Sequence, residues 1–106
     1  MKVFQVIVTP NAEEDFKKYL SYLRDVKKNP QAVQSVIEDF RDTKNTLSNM
    51  AGSLAEPKSE QLRRRGLKRI NFLRHNYFLL YYIGRDGIVY ITNVFHDLED
   101  YESRLR

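Results

Sequence analysis

The sequence of 106 residues contains no cysteine, two histidines and four scattered glycines. Without cysteine there is no disulfide framework, no thiolate metal site and no cysteine nucleophile. The histidines, His75 and His96, stand about twenty residues apart with no carboxylate at a ligand spacing, so neither a metal nor another cofactor is expected. The glycines form no phosphate-binding or dinucleotide motif. No serine lies in a strand–turn–helix elbow, which disfavours a Ser–His–Asp hydrolase.

Long apolar segments are lacking as well. The start, Met1–Gln5, has no apolar stretch of signal-peptide length, and no run approaches the roughly 20 residues of a membrane-spanning helix. The composition, 42% hydrophobic and 30% charged, is that of a folded protein and not of a disordered one. We therefore expect a single domain over residues 1–106, located in the cytoplasm and without a membrane partner.

Positive charge is concentrated in one stretch, residues 58–85, called here the basic segment. It holds eight basic residues and one acidic residue, whereas residues 1–57 hold eight of each. Such a segment favours a polyanion or an acidic protein as partner, although a solvated face that aids solubility is an open alternative. Its first half, through Arg65, is rich in arginine without clear periodicity, and we interpret it as a flexible basic arm.

The first half of the chain has strand and then helix periodicity. Lys2–Val8 is a β-branched, apolar run that predicts a strand. The Thr-Pro-Asn of residues 9–11 ends it, and either the threonine or the asparagine caps the helix that follows. Apolar residues recur at helical spacing over Ala12–Val26 and, after the break at Asn29-Pro30, from near Gln31 to about Asn49. The short connection predicts an antiparallel helical hairpin.

The second half has the alternation and turn residues of a sheet. The predicted elements are a loop over Met50–Pro57, a strand over Leu67–Leu73, a turn at His75-Asn76, a central strand over Tyr77–Ile83, a hairpin turn over Gly84–Gly87, a strand over Ile88–Phe95 and a short helix over Asp97–Arg104. The whole order is β-α-α-β-β-β-α. It predicts an α+β fold, in which an N-terminal helical hairpin packs on a mostly antiparallel sheet.

The chemistry left to such a chain needs only basic, histidine and tyrosine side chains, and metal-independent RNA cleavage is of that kind. Cleavage requires a base, an acid and cations that neutralise the phosphate. The candidates for phosphate or RNA binding are Arg63, Arg64, Arg65, Lys68, Arg69, Arg74 and His75. His75 or His96 can exchange protons near neutral pH, and Tyr101 can stack on a base or donate a proton. The alternatives are a turn residue for His75, a helix cap for His96 and a core residue for Tyr101.

Several local patterns resemble those of one toxin superfamily. They are Val8–Phe16, Leu67–Leu73, Asn76–Ile83, and Val89–His96 followed by Asp100-Tyr101-Glu102. Their order and spacing over essentially the whole chain resemble the RelE/ParE superfamily of toxins from type II toxin–antitoxin systems. The last strand running into a histidine and then Asp-Tyr-Glu is the most specific of these patterns.

The resemblance implies a fold, partners and two alternative activities. It implies a compact α+β domain that is silenced by a cognate acidic antitoxin and that contacts operator DNA only through the antitoxin complex. RelE-like members cut mRNA on the ribosome, whereas ParE-like members poison DNA gyrase. A role in plasmid stabilisation is a further expectation from the family.

The residue match leaves both activities open. Arg69 resembles a basic residue on the second sheet strand of the ribonucleases, His96 a histidine after their last strand, and Tyr101 a terminal tyrosine. These three are the expected catalytic residues, although Phe78 stands where ribonuclease members often carry arginine. We expect Arg69, Arg74 and His96 to converge on one concave face of the sheet. A ribosome-dependent mRNA interferase is the first hypothesis, with a gyrase inhibitor and a non-toxic interaction module as alternatives.

Overall fold

Helices and strands follow the predicted order as far as the last strand, except for one additional short helix before the second strand. The computed structural model describes residues 3–54 and 57–97. Its elements are β1 (Val6–Val8), α1 (Pro10–Ser21), a π-helical turn (Tyr22–Val26), α2 (Pro30–Met50), a 3-10 turn (Ala51–Ser53), α3 (Glu60–Arg64), β2 (Lys68–Asn71), β3 (Tyr77–Ile83) and β4 (Val89–His96). The helix predicted over Asp97–Arg104 lies, apart from Asp97, outside the described residues. In the described ranges, no helix is long and apolar enough to cross a membrane.

Helix α1 begins at the threonine cap. The Thr9 side chain accepts a hydrogen bond from the Ala12 N–H at 3.3 Å, and Pro10 occupies the first helical turn, where its missing N–H costs nothing. Asn11, the alternative cap, lies inside the helix. Its side-chain amide donates instead to the Thr92 carbonyl of β4 at 2.8 Å, which ties the start of α1 to the sheet.

The two long helices form the predicted hairpin. Lys28 has a positive φ of 51° in the connection, and the Asn29 side chain caps α2 by accepting from the Ala32 N–H at 3.1 Å. The rings of Phe16 and Phe40 pack with their centroids 4.4 Å apart. These two residues lie at similar distances from the turn along their helices, as antiparallel packing requires.

The sheet has the strand order β1-β4-β3-β2. Strand β1 runs parallel to β4, whereas β4 with β3 and β3 with β2 are antiparallel. The prediction of a mostly antiparallel sheet is confirmed. In the register, Tyr77 lies opposite His96, and Arg69 lies opposite Leu80. Gly87 takes a φ of 79° in the β3–β4 turn, a conformation that glycine adopts without strain.

Side chains of β3 alternate between two apolar clusters, one on each face of the sheet. Tyr77, Leu79 and Tyr81 belong to the larger cluster, which the helical hairpin covers. Phe78 and Leu80 belong to a smaller cluster on the other side, together with Leu62, Leu67 and Phe95. We call these sides the helix-covered face and the opposite face.

The first half of the basic segment is not a flexible arm, so that prediction is wrong. Residues 60–64 form α3, and the Ser59 side chain caps it by accepting from the Leu62 N–H at 3.3 Å. Leu62 is only 1% exposed and packs on the opposite face. Burial of this one leucine anchors the helix, while its arginines point to solvent.

Candidate functional site

Arg69 lies on the opposite face of the sheet. Its guanidinium carbon sits 3.8 Å from the centre of the Phe78 ring, an attractive cation–π arrangement. The same guanidinium donates to Asp97 at 2.8 Å and to the side-chain oxygen of Asn71 at 2.9 Å. Arg69 does not point into the helix-packed core, and its charge is balanced by a carboxylate from the end of β4.

His96 lies on the helix-covered face. Its ring meets the Tyr77 ring edge-on, with centroids 5.1 Å apart, and its backbone N–H donates to the Tyr19 hydroxyl at 3.1 Å. Burial raises the pKa of the Tyr77 hydroxyl, so this neighbour stays neutral. Together they border a groove of about 660 Å³, which is lined by Lys18, Tyr19, Tyr22, Leu23, Lys27, Tyr77 and His96.

The predicted convergence of Arg69, Arg74 and His96 is therefore wrong. Arg69 stacks on Phe78, and His96 packs on Tyr77. Tyr77 and Phe78 are consecutive residues of β3. Consecutive side chains of a strand point to opposite faces, so the sheet separates the arginine from the histidine. Tyr101, the third predicted catalytic residue, lies outside the described residues.

Arg74 and His75 lie in the loop of residues 73–76, which joins β2 to β3 and is organised by a residue that the sequence analysis missed. The Asp39 carboxylate of α2 is 0% exposed. It accepts from the N–H groups of Leu73, Arg74 and His75 at 3.1, 3.0 and 2.8 Å. The His75 Nδ1 lies 2.7 Å from the same carboxylate. His75 is thus more than a turn residue, since its side chain joins the loop to α2.

The charge of Asp39 is compensated inside the protein. Burial alone raises its pKa, but hydrogen bonds from His75 and from the backbone of Arg74 and His75, together with the Arg74 charge, hold the pKa below its ordinary value of 3.8. His75 Nε2 also contacts the Ser35 hydroxyl at 3.2 Å. Arg74 pairs with Asp42 at 2.9 Å, so the cation predicted to bind phosphate is held by two acids of α2.

The remaining basic candidates support local structure. Arg63 donates to the carbonyls of Pro57 and Lys58 at 2.8 and 2.7 Å, and Arg64 pairs with Glu60 at 2.8 Å. Lys68 reaches the Leu54 carbonyl at 3.4 Å. Arg65 is exposed at the end of α3. The three arginines are exposed on and at the end of α3, whereas Lys68 lies opposite Tyr81 in the register and so shares the helix-covered face.

Asp39 carried a signal in the sequence. It lies among the buried residues of α2, which also include Val36, Thr43 and Leu47. An acid within an apolar helical stripe is seldom buried without partners, and loop N–H groups are suitable partners. The helical spacing of the apolar residues predicts the helix but not the role of Asp39.

The described candidate residues lie at separate places in the fold. Within residues 3–54 and 57–97 there is no group of three or more metal-ligating side chains. The described basic and histidine candidates are divided among α3, the opposite face, loop 73–76 and the groove at His96. Arg69 and His96 lie on opposite faces of the sheet, and His75 is held by Asp39 and Ser35 in loop 73–76, so these three side chains are not gathered at one place.

Comparison with known proteins gives one family and two similar folds. Residues 6–101 match the family model described as "ParE toxin of type II toxin-antitoxin system, parDE". Among curated proteins the search finds no match. A chain of the chromosomal ParDE TA system from P. aeruginosa has a TM-score of 0.73 at 15% identity, covering 89% of this chain and 96% of that one. A chain of the toxin–antitoxin complex RelBE2 from Mycobacterium tuberculosis has a TM-score of 0.58 at 24% identity, covering 89% and 98%.

Proposed function

This chain belongs to the ParE toxin family of type II toxin–antitoxin systems, and we propose that it stops growth by binding DNA gyrase and not by cleaving mRNA. The observation that carries the proposal is the separation of Arg69 from His96 by the sheet. Cleavage requires the arginine that neutralises the phosphate and the histidine that transfers a proton to act on the same phosphate, and the proton-transfer group must lie within about 2.6–3.2 Å of its proton partner. Residues on opposite faces do not meet that requirement, whereas binding requires only an exposed surface.

Phe78 adds support from the opposite face. Ribonuclease members often carry arginine at this position, and the Phe78 ring here is 0% exposed. It packs against Phe95 with centroids 5.7 Å apart and beneath the Arg69 guanidinium. An apolar ring at this position stabilises the sheet and offers no charge to a phosphorane.

The cognate antitoxin is the partner that silences the toxin, and α3 offers it a docking surface. Arg63, Arg64 and Arg65 are exposed on a helix anchored by Leu62. Such a cationic surface is complementary to an acidic antitoxin segment, and complementarity of this kind speeds association. Contact with operator DNA occurs only through the antitoxin complex, and the toxin acts in the cytoplasm.

The proposal is tested with purified toxin, gyrase and supercoiled plasmid. We expect the toxin to stabilise gyrase–DNA cleavage complexes, which are detected as linear plasmid once the gyrase is denatured. We expect the antitoxin to abolish these complexes. The same preparation is added to ribosomes translating a defined mRNA, where we expect no cuts above background. Cuts on the ribosome, with no cleavage complexes at toxin excess, would establish the mRNA interferase instead.

A further inference from the structure

Loop 73–76 is built around a carboxylate that belongs to the protein itself. Three consecutive N–H groups, those of Leu73, Arg74 and His75, converge on Asp39. Successive backbone N–H groups of this kind form a concave site for an anion. The loop has no residue with positive φ, so neither a glycine nor a left-handed asparagine sets its shape. Asp39 sets it.

Both ends of the loop are fixed as well. The Phe72 N–H donates to the Tyr77 carbonyl at 2.9 Å, and the Asp97 N–H donates to the Asn76 carbonyl at 2.8 Å. A loop held at its centre and at both ends loses little conformational entropy when a partner binds, which favours affinity.

The outer side of this rigid loop is an unusual surface. Leu73 is 50% exposed, the Arg74 side chain is 49% exposed, and Asn76 is exposed beside them. A polar hollow of about 210 Å³ lies against the loop, bordered also by Asn71 and Asp97. Arginine is enriched among the residues that dominate the affinity of protein interfaces, and the exposed leucine beside it adds apolar area that a partner can bury.

The charges around the loop decide the class of partner. Arg74 lies near the carboxylates of Glu38, Asp39 and Asp42, and Asp97, which borders the hollow, is paired with Arg69. Acids so close to the one arginine of the loop repel a phosphate backbone, whose binding depends on uncompensated cations. The fitting partner is a protein surface with an apolar socket for Leu73 and an oxygen acceptor for Arg74.

We propose that loop 73–76 is the surface with which the toxin docks on its protein target, and that Asp39 is the positioning residue that holds this surface in its binding shape. The inference deepens the proposed function by naming the part of the toxin that meets gyrase. In this inference Arg74 contacts a protein partner and does not bind phosphate.

The docking surface is tested with the double variant Leu73→Ala/Arg74→Ala. Its matched control is Met50→Ala/Arg85→Ala, which also removes one exposed apolar side chain and one exposed arginine, at α2's end and in the β3–β4 turn. We expect the loop variant to keep its circular dichroism spectrum, to lose growth arrest on induction, and to bind purified gyrase at least about tenfold more weakly. The control should match the wild type in all three.

The outcomes separate this inference from the proposed function. Growth arrest by the loop variant equal to that of the wild type overturns the docking surface. If the loop variant loses growth arrest but the wild type binds no gyrase, the gyrase target fails while the loop remains the working surface. If the loop variant instead loses affinity for single-stranded RNA or duplex DNA that the wild type binds, the partner is a nucleic acid and the inferred protein partner is wrong.

The positioning role is tested separately with Asp39→Asn and with Ser35→Ala as control. Amide NMR signals of residues 73–75 report hydrogen bonds to the carboxylate. We expect Asp39→Asn, measured well below its melting temperature, to move these signals and to weaken gyrase binding about as much as the loop variant does. Ser35→Ala keeps the carboxylate and should change neither. Moved signals with unchanged affinity would leave Asp39 a purely structural role.

Discussion

The two faces of the sheet differ in how they are covered and in which functional candidate they carry. The helix-covered face packs against two long helices and carries His96 at its rim. The opposite face has a five-residue helix over its cluster and carries Arg69. A sheet that is covered on both sides divides its polar residues between two surfaces. Arg69 and His96 therefore lie on different surfaces of the protein.

Truncating one buried leucine on each face gives the largest expected effect and tests the difference in packing. Leu79 and Leu62 are 0% and 1% exposed. We expect Leu79→Ala to lower the free energy of unfolding by about 4 kcal/mol and Leu62→Ala by about 2 kcal/mol, because a small surface helix can settle into the space that the leucine leaves. Urea denaturation measures both. An equal loss would show that α3 is packed as firmly as the hairpin.

Replacing Asp39 by asparagine tests the connection between the helical hairpin and the sheet's loop. The amide keeps the shape of the side chain but loses the charge and turns an N–H₂ group toward backbone donors. We expect the free energy of unfolding to fall by about 3 kcal/mol, since buried hydrogen bonds to a charged group are lost. Asp42→Ala, which breaks a half-exposed pair with Arg74, should cost less than about 1 kcal/mol. Similar losses in the two variants would contradict the special role of Asp39.

Acid should weaken the wild type more than the Asp39→Asn variant. The folded pKa of Asp39 lies below its ordinary value of 3.8, because His75, Arg74 and the loop N–H groups stabilise the carboxylate. Its contribution is fully present above that ordinary value and is lost as the pH falls toward the folded pKa. Denaturation at pH 7, 4 and 2.5 should show the difference in unfolding free energy between the two proteins narrowing as the pH falls. A constant gap would show that Asp39 does not titrate with folding.

Substituting Arg69 or His96 should have the smallest effect, because we expect growth arrest to persist in both variants. Arg69→Ala loses a cation–π contact and a partly exposed ion pair with Asp97, and His96→Ala loses a ring contact. We expect each to cost about 1 kcal/mol of stability or less. Neither should prevent growth arrest on induction, since neither contributes to a shared catalytic site. Complete loss of arrest in both variants, with both proteins folded, would restore the catalytic hypothesis.

The fold could be predicted from the sequence because its signals are local. The cap at Thr9, the break at Asn29-Pro30 and the apolar run Tyr77–Ile83 each determine an element from a few neighbouring residues. Helix α3 was missed because five residues with one buried leucine give no periodicity. A short basic stretch then looks like a loop, and only its packing on Phe78 and its neighbours makes it a helix.

The site could be predicted less well because it depends on pairing between distant residues. Alternation alone shows that neighbouring strand residues face opposite sides, but which side His96 shares becomes known only from its pairing with Tyr77. For a similar reason, the sequence overestimates the positive charge that the basic segment can offer to a partner. Asp39, Asp42 and Asp97, all outside the segment, lie beside its arginines and histidine. Sequence composition counts charges, whereas the fold decides which of them are compensated.

The most direct test of whether the toxin acts on gyrase is to measure whether DNA synthesis or protein synthesis stops first in the cell. The toxin is induced without its antitoxin, and incorporation of labelled thymidine and labelled methionine is followed in short pulses. We expect DNA synthesis to stop first while protein synthesis continues. If protein synthesis falls first and cut mRNA accumulates while DNA synthesis continues, the toxin acts on translation and the proposed gyrase target is wrong.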